Sequence, residues 1–285
     1  MIQLIKVWAL CMKCRFAFLI GMLLLPLAGL AQGDLLVTPR RVVFEGNYQR
    51  EEIVVVNIGR DTATYAISFL QYWMTEDGAF EEITEPRPGQ LFADPYLRYF
   101  PRSVTLAPDE SQVIRMQVRR LPGMAEGEYR SHLYFRAEPD EKPLGEDVVL
   151  PDSTSIGVRL TPIYGVSIPV IIRIGNLHSK VTISDLTVEQ EENQSPVVKM
   201  TLNREGNRSV YGDLSIVYIA PDGETINVGI VRGLAVYTPN TLRRFSMPLK
   251  VPEGVHFSAG KLLVRYSSSN ETKPEIYAEK EFVFP

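Results

Sequence analysis

One run of alternation constrains this chain more than any other feature. Across 156–174 every even position is apolar, aromatic or proline: Ile156, Val158, Leu160, Pro162, Tyr164, Val166, Ile168, Val170, Ile172 and Ile174. The odd positions are mixed, with Gly157, Arg159, Thr161, Ser167 and Arg173 among them. A period of two places the even set on one face of a strand. The run is several times the mean strand length of about 5–6 residues. It therefore reads as one long strand, bent at Pro162 or Pro169, that outgrows a single sheet. Both prolines lack the N–H that a central ladder needs, so the strand belongs at an edge. An apolar edge is a template for another chain unless something covers it.

The rest of the chain has the same character. No stretch carries a helical period. Short runs rich in Val, Ile and Tyr alternate with turns of Pro, Gly, Asn and Asp, the mark of sandwiches and barrels. Ahead of the ribbon, 35–44, 52–57, 62–74, 112–119 and 127–136 read as strands. The stretch 138–155 is an acidic, proline-containing loop, with Asp140, Glu141, Glu146, Asp147 and Asp152. After Gly175-Asn176 come 181–188, 197–202, 214–219, 225–231, 242–249, 261–266 and 276–284, with Pro221-Asp222-Gly223 as a hairpin turn. About seven strands in about 110 residues fit an immunoglobulin-like sandwich. The expected fold is all-β, two immunoglobulin-like β-sandwich domains in tandem, 32–174 and 175–285.

Residues 1–31 read as a secretory signal. Lys6, Lys13 and Arg15 make a basic start and 16–30 is apolar. Gly29-Leu30-Ala31 supplies small residues for cleavage near Ala31. The apolar run is short of the roughly 20 residues that a span requires. Cys11 and Cys14 both lie in this segment, so the mature chain is expected to fold by core burial without disulfides. With 30 basic and 34 acidic residues the formal net charge is −4, more negative once Lys6, Lys13 and Arg15 are removed. That balance argues against general nucleic-acid binding. His132, His178 and His256 lie far apart without ligand spacing, and no zinc, phosphate-loop, dinucleotide or nucleophile-elbow motif occurs. The sequence therefore points to a protein that is not an enzyme, with no metal, no cofactor and no small-molecule substrate.

Several segments in order resemble the N-terminal domain of the periplasmic pilus-assembly chaperones, the PapD-like family. They are Thr38-Pro39-Arg40-Arg41-Val42-Val43-Phe44-Glu45-Gly46, Val56-Asn57-Ile58-Gly59, the stretch from Phe100-Pro101 through Leu106-Ala107-Pro108 to Val113-Ile114-Arg115-Met116, and Leu121-Pro122 with Glu128-Tyr129-Arg130-Ser131. The second domain is similar at the level of fold alone. The resemblance implies a boomerang of two sandwiches in the periplasm. It implies that the chain lends an edge strand to pilin or fimbrial subunits, each a sandwich short of one strand. An outer-membrane usher would be a further partner and a self-capping dimer a free form.

The resemblance also implies roles for residues. Arg41 takes the position that anchors the subunit's C-terminal carboxylate, a task suited to a guanidinium fork. The family's second anchor is a lysine on the long strand, and Tyr164 stands there by spacing, a departure that removes a charge. Ile156, Val158 and Leu160 are the donor residues. Arg115 and Glu128 match an internal salt-bridge network near the domain interface, whose third member is not identified. The alternative reading is a secreted structural or adhesive protein made of two such sandwiches, with the margin at 156–160 covered.

Overall fold

The computed structural model describes residues 34–119, 123–138, 163–190, 195–252, 257, 259–269 and 274–284. The chain from Leu35 to Pro285 forms one compact unit. Its strands lie in two pairs of sheets and one small hairpin. In the first pair, a four-stranded sheet runs β1 (Leu35–Thr38), β3 (Arg50–Asn57), β9 (Ser111–Val118) and β7 (Leu97–Phe100). It faces a five-stranded sheet in the order β2 (Val42–Phe44), β11 (Gly165–Ile174), β10 (Gly127–Glu138), β4 (Ala63–Leu70) and β8 (Ser103–Leu106). The second pair holds β12 (Ser179–Glu189), β13 (Val197–Gly206) and β16 (Leu242–Pro248) against β15 (Thr225–Val236), β14 (Val210–Ile219), β17 (Lys261–Ser268) and β18 (Ile276–Val283). The all-β expectation of two sandwiches in tandem holds.

Alternation explains how each sandwich closes. Along β14 buried and half-buried residues alternate without a break, and β3 and β9 bury Ile53, Val55, Ile114, Met116 and Val118 on one face. Each buried aliphatic side chain contributes about 1.5–3 kcal/mol. β10 departs from the pattern because it is buried on both faces. Tyr129, Leu133 and Phe135 enter the first core, while Glu128, Arg130 and His132 face the other way and are also covered.

Two expected strands are divided. The stretch 35–44 is two strands in different sheets, because Pro39 cannot donate to a ladder and the chain crosses between sheets over 39–41. Arg41 therefore sits in the crossover and not on a strand. The stretch 62–74 breaks at Gln71, so β4 ends and a hairpin of β5 (Tyr72–Met74) and β6 (Phe80–Glu82) begins. That hairpin clasps the second sandwich. Asn240 Nδ2 donates to the Met74 carbonyl at 2.6 Å, and Arg244 pairs with Glu76 at 2.6 Å. Met74, Ile171, Ala235 and Tyr237 form a small apolar cluster between the sandwiches, with Val43 and Tyr211 packed on it.

Candidate functional site

The alternating ribbon divides where the described residues begin. On β11 the even residues Ile168, Val170 and Ile172 lie in the first core, with Val166 and Ile174 packed against it. This half of the ribbon is sealed within its own sandwich and offers no apolar face to a partner. Ile156, Val158 and Leu160 lie outside the described residues. The edge of β11 is only partly covered. β2 is three residues long and pairs in parallel with 170–172. Among the described residues no strand pairs with 165–169 on that side. Pro169, without an N–H, stands where the cover begins.

Beside this margin lies a groove of about 470 Å3. Arg40 and Arg41, the rings of Tyr72, Phe80, His132, Tyr211 and Tyr237, and Ser167 and Pro169 of β11 line it. Arg41 stacks on aromatic rings from the second sandwich, its guanidinium carbon 4.5 Å from the centroid of Tyr211 and 5.6 Å from that of Tyr237. Its Nη1 donates to the Tyr237 hydroxyl at 3.3 Å. No described carboxylate pairs with it. Such cation–π contacts contribute about 0.5–1 kcal/mol.

Arg130 adds a second cation from below. It is 4% exposed, lies 4.1 Å from the Tyr237 centroid and donates through Nη2 to the Tyr72 carbonyl at 3.4 Å. Its Nη1 has no hydrogen-bond partner among the described residues. Burial pulls its pKa down to about 10, with Tyr237 and Glu128 opposing and Arg41 adding repulsion, so it remains charged at neutral pH. His132, two residues on, is driven to about 3 by burial first and then by Arg130 and Arg41. Its imidazole is neutral, held edge-on to Tyr72 at 4.9 Å. The corner thus gathers guanidinium charge and aromatic rings, and no carboxylate lines the groove.

The other end of the same contact is closed. Glu128 Oε2 accepts from Arg173 Nε at 3.0 Å and from the Ser209 backbone N–H at 3.2 Å. Oε1 accepts from the Ser209 hydroxyl, and from that of Thr238 at 3.4 Å. Arg173 also holds Glu45 at 2.9 Å.

The expected network of Arg115 with Glu128 is corrected here. Arg115 lies on β9, in the other sheet, and pairs with Glu52 at 3.2 Å on the exposed surface. Arg173 takes its place because it stands directly opposite Glu128 across β10 and β11. The partners of Glu128 from the second sandwich are the neutral Ser209 and Thr238, and the charge that sandwich adds is Arg208, 3.8 Å from Glu45. Tyr164 is not brought to Arg41 either. It precedes β11, is 44% exposed and is not part of the first core. The residues of β11 that share the groove with Arg41 are odd, Ser167 and Pro169. Sequence reasoning missed Arg130 as the second cation of the corner. Its signal was the spacing of Glu128, Arg130 and His132, three polar residues on one face of an apolar strand.

Among the described residues, no cluster of His, Cys, Asp or Glu could hold a metal ion, and no helix is long and apolar enough to cross a membrane. No family model matches the chain, and no curated protein matches it. Solved structures are similar to it. A chain of the CsuC–CsuE chaperone–tip adhesion subunit pre-assembly complex, from the archaic chaperone-usher Csu pili of Acinetobacter baumannii, is 13% identical. That match covers 86% of this chain and 97% of that one, at a TM-score of 0.42. The CupB2 chaperone of Pseudomonas aeruginosa is 14% identical over 87% of this chain and 99% of its own, at 0.40. The YadV chaperone is 10% identical over 88% and 100%, at 0.42.

Proposed function

We propose that this chain is an exported assembly chaperone of the periplasm that holds pilus subunits by adding its edge strand to their incomplete sandwich. The observation that carries the reading is the half-covered edge of β11 beside Arg41, a cation without an acidic partner among the described residues. The N–H and C=O groups on the outer side of 165–169, which have no strand partner among the described residues, can continue a ladder into another chain. In strand addition these backbone bonds supply affinity, and alternate side chains supply specificity.

Direction follows from β2. It runs parallel to β11 and occupies its edge from Val170 onward. A guest strand on 165–169 ends against the start of β2, where Arg41 stands. Only a guest running parallel to β11 brings its C-terminus to that point. Its carboxylate is the negative group that the groove lacks. Arg41 binds it and buried Arg130 adds positive potential behind. Ile156, Val158 and Leu160 precede this margin and fill the subunit's open core. Each contributes about 1.5–3 kcal/mol, less the ordering of the segment that carries them.

The test is capture of a pilin-like subunit co-expressed with the full chain, alongside binding of a peptide with the subunit's C-terminal sequence. Arg41→Gln should weaken the free-acid peptide about tenfold or more, the expected size for a charge-assisted pair, and leave the amidated peptide unchanged. Val158→Asp should abolish subunit capture. Normal capture by Val158→Asp would exclude donation by this strand.

A further inference from the structure

We infer that the groove beside Arg41 receives the side chain of the guest's last residue, and that this residue is aromatic. The inference rests on the strand-addition reading and adds a client specificity to it. Its basis is an incomplete box of rings. Phe80 lies 5.9 Å from Tyr72 at 66°, 5.7 Å from His132 at 71° and 6.2 Å from Tyr237 at 51°. These are the spacings and tilts that aromatic pairs favour. Yet Phe80 remains 49% exposed, so one side of the box is open. The open side is the groove, which Arg40 and Arg41 also line.

The pleat brings a terminal side chain to this place. Ser167 and Pro169 point from β11 into the groove. Side chains of a neighbouring strand at matching positions project from the same face of the sheet. Both β11 residues are short, which leaves the groove volume to the guest. A terminal residue with its carboxylate on Arg41 then sets its side chain against Phe80, Tyr72 and Tyr237. The neutral His132 adds no charge to that wall. The neighbouring cleft of about 710 Å3 is also lined by Arg41, with Arg173, Lys180 and Arg208 against Glu45 and Glu275, but no residue of 165–169 lines it, so a guest paired with that margin ends in the groove and not in the cleft. A free aryl acid would meet the same rings and the same arginine but would forgo the ladder along 165–169, so the occupant is a polypeptide end.

The experiment measures binding of fluorescent peptides to the full chain. The peptides share one alternating apolar sequence and end in Phe, Ala or Glu, each as free acid and as amide. N-acetylphenylalanine serves as the free-ligand arm. The Phe-ended acid should bind about tenfold tighter than the Ala-ended acid, the usual worth of filling an apolar pocket. It should also exceed the Glu-ended acid. Phe80→Ala should shrink the Phe preference to less than about threefold while acids still bind better than amides. Phe80 is half exposed, so this variant keeps its fold, and Phe80→Leu should give an intermediate preference. Equal binding of Phe- and Ala-ended acids, or stronger binding of the Glu-ended acid, overturns the inference and leaves the strand-addition reading intact. Equal binding of acids and amides, no binding by any peptide, or N-acetylphenylalanine matching the peptide overturns both.

Discussion

Two corners of the contact between the sandwiches share one sheet face and are built in opposite ways. Glu128, Arg130 and His132 are successive residues on that face of β10, opposite Arg173, Ile171 and Pro169 of β11. At the Glu128 end the carboxylate is enclosed by Arg173, Ser209 and Thr238. At the Arg130 end two guanidiniums meet rings and a carbonyl, with no carboxylate. A buried charge is tolerated when it is paired and hydrogen-bonded. The first corner satisfies that condition by itself. The second does not, and on the proposed strand-addition reading the guest's carboxylate supplies the anion. One contact surface therefore holds a closed joint and, a few residues apart, two guanidiniums without a described carboxylate partner.

The comparison breaks most visibly at Glu128. Glu128→Ala leaves Arg173 buried with only Glu45, itself half exposed, to balance it. Loss of one partner of a buried pair destabilises by about 3–5 kcal/mol, and retention of Glu45 places the effect at the lower end. Denaturant unfolding measures it. A loss below about 1 kcal/mol would mean that the joint is not structural.

Acid gives the next largest effect, at the open corner. His132 is held near 3 in the folded chain, against an ordinary value of about 6.5. Between these values the unfolded chain binds the proton and the folded chain does not. Stability from this group is therefore complete above about pH 6.5 and falls as the pH drops towards 3. The loss is on the order of a few kcal/mol. Stability curves of the parent and of His132→Gln, compared from pH 7 to pH 4, should diverge, with the variant flatter. Parallel curves would show that His132 is not sealed among Arg130, Arg41 and the rings.

What the sequence disclosed follows the same division. Period-two alternation in 156–174 and the turns between short runs were enough for two sandwiches, because core burial writes itself into every second residue. Arg41 was singled out by its motif. Its setting in a crossover was not legible, since Pro39 could end a strand or only bend it. The ribbon concealed a second fact. Ile171, an odd residue, is as buried as its even neighbours, because β11 is covered on both faces once the second sandwich docks. Alternation reports one buried face and is silent about a second made by a distant segment. Arg173 and Arg130 were missed for that reason. Grouping Glu128 with Arg115 rested on the family resemblance. The opposing rung of β10 and β11 selects Arg173 instead.

That substitution supplies the smallest and sharpest test of the contrast between the corners. Arg115 and Glu52 form a surface pair at 3.2 Å with side chains 80% and 63% exposed. Water and salt screen such a pair, and its contribution is about 0–1 kcal/mol. Arg115→Ala should therefore lower stability by less than about 0.5 kcal/mol and leave peptide binding unchanged. Combined with Glu128→Ala, its effect should simply add, because residues in opposite sheets share no partner. A coupling above about 0.5 kcal/mol in that double-mutant cycle would join the far sheet to the Glu128 joint. The distinction between a joint completed by Arg173 and a corner without a described carboxylate partner would then fail, because the charges facing the second sandwich would no longer be balanced locally.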